Sequence, residues 1–240
     1  MSSHTLEGRG LVKRFGRKPA VDGLSLAFRS GEVTGLLGPN GAGKTTTFYL
    51  IVGFLAPTAG QVLLDGQAVG HLPFFRRARM GIHYLPQEPS VFLRTTVEGN
   101  LRLALEGLGA SWDGRVDALL SELGLAGLRR RPVTRLSAGE RRKVELARVL
   151  VARPLFLLLD EPFSGVDPIT VAELSQLIRK LAGEGIGIAI CDHNVRDTLR
   201  ITDRAYIIHS GKLLLSGTPE EIAADELARR TYLGQDFSLS

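Results

Sequence analysis

A single cysteine, Cys191, occurs in 240 residues. One thiol cannot close an intrachain disulfide or build a cysteine-based metal site, and it fits a reducing compartment. No stretch stays apolar for about 18 residues, so no helix is expected to cross a bilayer. The opening residues MSSHTLEGRG have neither the basic start nor the apolar run of a signal peptide, and the chain is expected to stay in the cytosol. Internal repeats, low-complexity tracts and long linkers are also missing. At this length one domain with one sizeable core is expected, with room for a modest subdomain but not for two full α/β domains.

Hydrophobic residues at 44% and charged residues at 23% suit a soluble globular chain, and 28 glycines make tight turns a theme. The net charge of +5 could serve nucleic acid or an anionic membrane surface. The bases are scattered, however, in short clusters at Arg76 to Arg79, Arg129 to Arg131 and Arg141 to Lys143. These read as solvated faces, and no nucleic-acid partner is expected.

Apolar runs bounded by glycine and proline predict strands near Leu11 to Phe15, Leu24 to Phe28 and Val33 to Leu37, with a hairpin at Val62 to Leu64 before Asp65-Gly66. After Gly43 the pattern turns helical. Further strands are expected at Ile82 to Leu85, Leu155 to Leu159, Ile186 to Ile190 and Ala205 to Ile208, separated by helix-length segments. Leu155 to Leu159 is uniformly apolar, as in a strand covered on both faces of a parallel sheet. The alternation predicts an α/β fold. Between Gln87 and Arg153 the strand signals stop, and Val97 to Leu105, Gly114 to Leu123 and Gly139 to Val151 read as helices. In the last, Val144, Ala147 and Val151 repeat at helical spacing while Arg141, Glu145 and Arg148 mark a polar side. This predicts a helical insert of about 87–153 within a core of about 1–86 and 154–240.

Gly38-Pro39-Asn40-Gly41-Ala42-Gly43-Lys44-Thr45 fits the pattern G-x-x-x-x-G-K-[ST] between an apolar strand and a helix. Glycines there let successive backbone N–H groups turn toward phosphate oxygens, and the following helix adds the positive end of its dipole. Lys44 is expected to reach the β and γ phosphates, and the Thr45 hydroxyl to hold Mg²⁺. Phosphate binding alone leaves kinases, GTPases and many ATPases open. Asp160 and Glu161 follow a buried strand, at the edge where open parallel sheets hold ligands. Asp160 would join the Mg²⁺ shell, and Glu161 could take a proton from an attacking water or orient it. Leu136-Ser137-Ala138-Gly139-Glu140 offers a hydroxyl, backbone N–H groups and a helix start, which are anion-binding parts. The same residues also suit a plain capped helix, with glutamate at capping-box spacing.

With Lys44, Asp160 and Glu161 in this order, the Ser137 segment resembles the signature sequence of ABC ATPases, over nearly the whole chain. The resemblance implies a P-loop NTPase (RecA-like) core, the inserted helical subdomain and an antiparallel β subdomain. It implies ATP and Mg²⁺ as ligands, with residues 38 to 46 and the partner's equivalent of Ser137, Ala138, Gly139 and Glu140 around the nucleotide. Phe15, alone more simply a core residue, is similar to the aromatic that stacks on adenine. Gln87 resembles the glutamine that reaches the metal and the attacking water, Ser164-Gly165-Val166-Asp167 the loop that couples two sites across a dimer, and His193 the switch histidine.

In this family two cassettes pack head to tail, so a homodimer is expected beneath two transmembrane permease subunits. That would place the chain on the cytoplasmic face of the inner membrane. Ala138 departs from the commoner Gly-Gly signature, which is harmless at negative φ and costly otherwise. Tyr84-Leu85-Pro86-Gln87-Glu88, Val166-Asp167-Pro168, His193-Asn194-Val195-Arg196 and Tyr232 to Phe237 resemble ATPases of lipopolysaccharide export, which act indirectly on periplasmic bridge components. Branched-chain amino-acid importers are the nearest alternative, and a soluble ABC ATPase acting on nucleic acid or ribosomes is the more distant one. Phe92 and Arg94 would line the groove for the membrane partner, unless Phe92 packs internally. The C-terminal tail is expected either to pack on the partner cassette or to fray.

Overall fold

The computed structural model describes residues 3–234 and 237–239. A six-stranded sheet carries the architecture, in the order β10-β9-β3-β8-β7-β6. Its strands are β3 (Val33–Leu37), β6 (Ile82–Leu85), β7 (Phe156–Asp160), β8 (Gly187–Cys191), β9 (Arg204–His209) and β10 (Lys212–Gly217). All neighbours run parallel except β9 and β10. A second, antiparallel sheet in the order β2-β1-β4-β5 is built from β1 (Thr5–Phe15), β2 (Lys18–Arg29), β4 (Ala59–Leu64) and β5 (Gln67–Ala68).

Strand β7 shows why the parallel sheet is a double-sided core. All five of its residues are buried. Because strand side chains alternate faces, Phe156 and Leu158 enter one cluster with α1 (Lys44–Val52) and the antiparallel sheet. Leu157 and Leu159 enter another with α6 (Pro168–Gly183), where Leu174, Ile178 and Leu181 face them. An unbroken apolar run is therefore what this strand requires.

Between β6 and β7 the described chain is helical. After the short helix α2 (Phe74–Arg79) come α3 (Val97–Leu108), α4 (Gly114–Glu122) and α5 (Ala138–Leu150). Val97, Leu101, Leu105, Val116, Leu120, Val144 and Ala147 form a cluster of their own. The solvated-face reading of the basic clusters fails at two positions. Arg77 is buried on α2 and donates to the carbonyls of Leu50, Ile51, Gly70 and Leu72, with burial lowering its pKa to about 10. Arg142 is buried with Glu145, so Glu145 on the polar side of α5 faces protein and not water.

A short α9 (Glu226–Ala228) and a π-helical turn (Arg229–Leu233) follow the helices α7 (Val195–Ile201) and α8 (Pro219–Ala224). Beyond α9 Tyr232, Leu233, Phe237 and Leu239 pack on the chain's own cluster around Leu199 and Ile207, so the described tail is docked and not frayed. Gln235 and Asp236 of the terminal motif lie outside the described residues. No helix among the described residues is long and apolar enough to cross a membrane.

Candidate functional site

The sheet order sets the site. The loop after β3, the turn after β8 and the turn after β7 leave neighbouring strand ends, and β6 delivers Gln87 beside them. In register, Gly35 pairs with Ile190, Asp160 with Cys191 and Leu85 with Leu159. Strands lie about 4.8 Å apart, so β3 and β7 end roughly 10 Å from each other.

After β3 the chain turns through residues 38 to 43 into α1. Gly43 has φ 105°, and a Cβ there would stand 2.4 Å from the Ala20 carbonyl oxygen. Only glycine fits that turn. Pro39 accepts from the Ala42 N–H at 3.1 Å, which closes the loop around Asn40 and Gly41. Lys44 is buried and folds back, its Nζ donating to the Gly38 carbonyl at 2.8 Å and the Pro39 carbonyl at 3.2 Å. No side chain caps α1. Its first turn, with Thr45 exposed and Thr46 half-buried, thus presents backbone donors and a lysine ammonium around one loop. That is chemistry for a polyphosphate.

Asp160 is buried at the end of β7, and its Oδ2 accepts from the Tyr84 hydroxyl at 2.9 Å. No lysine, arginine or histidine pairs with this carboxylate among the described residues. A buried carboxylate with a neutral hydroxyl donor and no cationic partner among the described residues is suited to a divalent cation. Glu161 follows in left-handed backbone at φ 46°. Its Oε2 accepts from Gln87 Nε2 at 2.7 Å and lies 3.4 Å from His193 Nδ1. Three residues far apart in sequence thereby meet at one carboxylate oxygen. His193 is 60% exposed and follows Asp192, which is fully buried and accepts from the N–H groups of Phe163 and Asn194. Burial pushes the Asp192 carboxyl up.

The Ser137 segment forms the N-terminus of α5. Ser137 Oγ accepts from the Glu140 N–H at 3.1 Å, and the Glu140 carboxylate accepts from the Ser137 N–H at 2.7 Å. This is a complete capping box. Ala138 has negative φ and an exposed side chain, so its Cβ is accommodated. Gly139 is tighter, since a Cβ there would meet Thr170 Cγ2 at 2.7 Å. Thr170 belongs to α6, whose N-cap is Asp167. The Asp167 carboxylate accepts from the N–H groups of Ile169 and Thr170 and from the Thr170 hydroxyl, and these bonds lower its pKa. Among the described residues, no hydrogen bond or ion pair connects the segment 137–140 or Phe15 with the phosphate loop. Phe15 ends β1, 56% exposed, with Lys13 Nζ 5.5 Å from its ring centroid.

Phe92 is half exposed and Arg94 exposed, which removes the internal-packing reading of Phe92. The Arg148 guanidinium lies 4.8 Å from the Phe92 ring centroid and donates to the Ser90 carbonyl. Buried Asn100 holds the Phe92 backbone from both sides, accepting from its N–H and donating to its carbonyl. Arg142 donates to the Pro86 carbonyl at 2.9 Å, to Glu145 at 2.8 Å and to the Asp160 carbonyl at 3.3 Å, while Glu145 accepts from the Ser90 N–H. One buried ion pair thus ties α5 to the segment carrying Gln87 and to the end of β7. The sequence signal for it was an Arg and a Glu at i, i+3, a spacing that ordinary surface helices also show.

The ABC transporter family profile matches residues 21–164. The chain is 50% identical over 240 residues to the lipopolysaccharide export system ATP-binding protein LptB of Acidithiobacillus ferridurans, covering 99% of this chain and 100% of that protein. It is 48% identical over 239 residues to the protein of the same description from Escherichia coli, covering 98% and 99%. Among solved structures, an ATP-binding cassette of an ABC transporter in its ADP conformation superposes with a TM-score of 0.88 at 26% identity, covering 97% of this chain and 99% of the other.

Proposed function

This chain belongs to the ABC transporter family, and we propose that within it the protein is the ATP-hydrolysing subunit that powers lipopolysaccharide export from the inner membrane toward the outer membrane. The convergence of Gln87 and His193 on the Glu161 carboxylate, one residue past Asp160, carries the reading. Residues 38 to 46 would hold the phosphates of ATP and Phe15 its base. Thr45, Asp160 and Gln87 would hold Mg²⁺, which when bound neutralises charge on the transferred phosphoryl group. Glu161 would receive a proton from the attacking water, with Gln87 orienting its carboxylate and His193 within reach of the same oxygen.

Each chain has one phosphate loop and one Ser137 segment, with no hydrogen bond or ion pair between them among the described residues. A homodimer that brings Ser137, Ala138, Gly139 and Glu140 of one copy over the loop of the other would complete two sites, with Asp167 at the junction. ATP bound between the copies would stabilise that dimer by mass action. The helical stretch of about 87–153 would be a subdomain whose exposed Phe92 and Arg94 meet transmembrane subunits on the cytoplasmic face of the membrane. The relatives named for lipopolysaccharide export favour that cargo over amino acids.

Glu161→Gln keeps the shape of the side chain and removes its basicity. It is expected to retain ATP binding, to trap the dimer and to lower turnover by about 10²- to 10⁴-fold. Turnover like the parent's would reject the role of Glu161. Depletion in the source cell, followed by assay of surface lipopolysaccharide, tests the cargo, and unchanged delivery would reject export.

A further inference from the structure

The motif that contains Tyr84 gives it no role, yet it alone among the described side chains gives Asp160 a hydroxyl donor. Tyr84 lies opposite Leu158 in the parallel pairing of β6 and β7, and Asp160 shares the face of Leu158 two residues on. The phenol therefore reaches diagonally to Asp160 Oδ2, at 2.9 Å. The ring is held edge-on by Phe48 at 6.5 Å, Tyr49 at 5.7 Å and Phe54 at 5.7 Å between centroids. Phe48 and Tyr49 come from α1, the helix that begins at the phosphate loop. The ring that fixes the carboxylate is thus seated on the element that presents Lys44 and Thr45.

The second group beside this carboxylate is the Cys191 thiol, its neighbour in register. The Tyr84 phenol is a neutral donor to this carboxylate. Neutral donors can fix the direction of a carboxylate without cancelling its charge, as an arginine would.

We propose that Tyr84 is a positioning residue, whose hydroxyl fixes the Asp160 carboxylate in the orientation that receives a divalent cation. The inference rests on the reading of Asp160 as a Mg²⁺ residue. Tyr84→Phe keeps every ring contact and removes only the hydroxyl. Binding of a fluorescent ATP analogue is measured for the parent, Tyr84→Phe and Asp160→Asn, first in EDTA and then across a Mg²⁺ titration.

In EDTA, Tyr84→Phe is expected to bind the analogue within about twofold of the parent, while the Mg²⁺ concentration that half-saturates the metal effect rises about tenfold, the lower end of the roughly 10- to 100-fold range for lost outer contacts to metal ligands. A merely structural role would weaken both conditions alike and would overturn the proposal. A parent-like Mg²⁺ midpoint in Tyr84→Phe, with the metal effect lost in Asp160→Asn, would overturn the role of Tyr84 and spare that of Asp160. A parent-like midpoint in Asp160→Asn would overturn the reading of Asp160 and this inference with it.

Discussion

Two helix starts in this protein, both proposed here to meet the phosphates of ATP, are built by opposite means. At α1 the chain enters through glycine in left-handed backbone, no side chain caps the helix, and a buried lysine closes the loop over backbone carbonyls. At α5 the chain enters in ordinary extended backbone, a serine and a glutamate cap the first turn reciprocally, and Ala138 is exposed. The first start is a tight glycine turn that tolerates little change. The second is self-satisfied, so it contributes to binding only where another surface, such as a second copy's nucleotide, meets it.

The contrast is broken most severely at Gly43. Gly43→Ala would force an L-residue to φ 105° and drive its Cβ into the Ala20 carbonyl. A loss of about 3 kcal/mol in denaturant unfolding is expected, together with loss of ATP-analogue binding. Stability and affinity within error of the parent would show that the turn is not shaped as described.

Gly139→Ala tests the other start by packing. Its Cβ would press on Thr170, which its bond to Asp167 keeps from moving aside. A cost of about 1–3 kcal/mol is expected in the same unfolding assay, with monomeric ATP affinity unchanged. Ser137→Ala removes half of the capping box and is expected to cost about 1 kcal/mol, again with monomeric affinity retained. An affinity loss in the isolated monomer would mean that the Ser137 segment serves its own chain's loop, which would undo the comparison. Ala138→Gly restores the commoner signature and is expected to change stability by less than about 0.5 kcal/mol.

Much of the α1 end was legible in sequence, because its geometry is enforced by residue types with few alternatives. Glycines and a lysine at fixed spacing, after a strand and before a helix, leave little else for the chain to do. The parallel strands were legible for a related reason: burial on both faces demands continuous apolar runs, and β3 and β6 run over the residues expected. β7 and β8 begin one residue later than their apolar runs, since β7 extends to take in Asp160 and β8 to take in Cys191.

Contacts that depend on which faces meet were not legible. The polar side of α5 looked solvated, and only the fold brings Arg142 and Glu145 against Pro86, Ser90 and the end of β7. Arg77 carries no sequence mark that separates it from Arg76 or Arg79, yet it alone turns inward to the carbonyls at the end of α1. β10 was missed because its edge position leaves Lys212 and Leu213 exposed and weakens the strand pattern. The hydroxyl of Tyr84 lay within a motif noticed for its glutamine, and its diagonal reach to Asp160 needs the β6–β7 register to be seen.

Glu161 adopts left-handed backbone, which costs a residue with a Cβ about 1–3 kcal/mol and which glycine or asparagine adopts more readily. A laboratory selection for heat tolerance alone should therefore drift toward those two residues at position 161, yielding proteins that endure longer and no longer work. The residue found there after such a selection reports whether the pressure applied was for survival of the fold or for turnover.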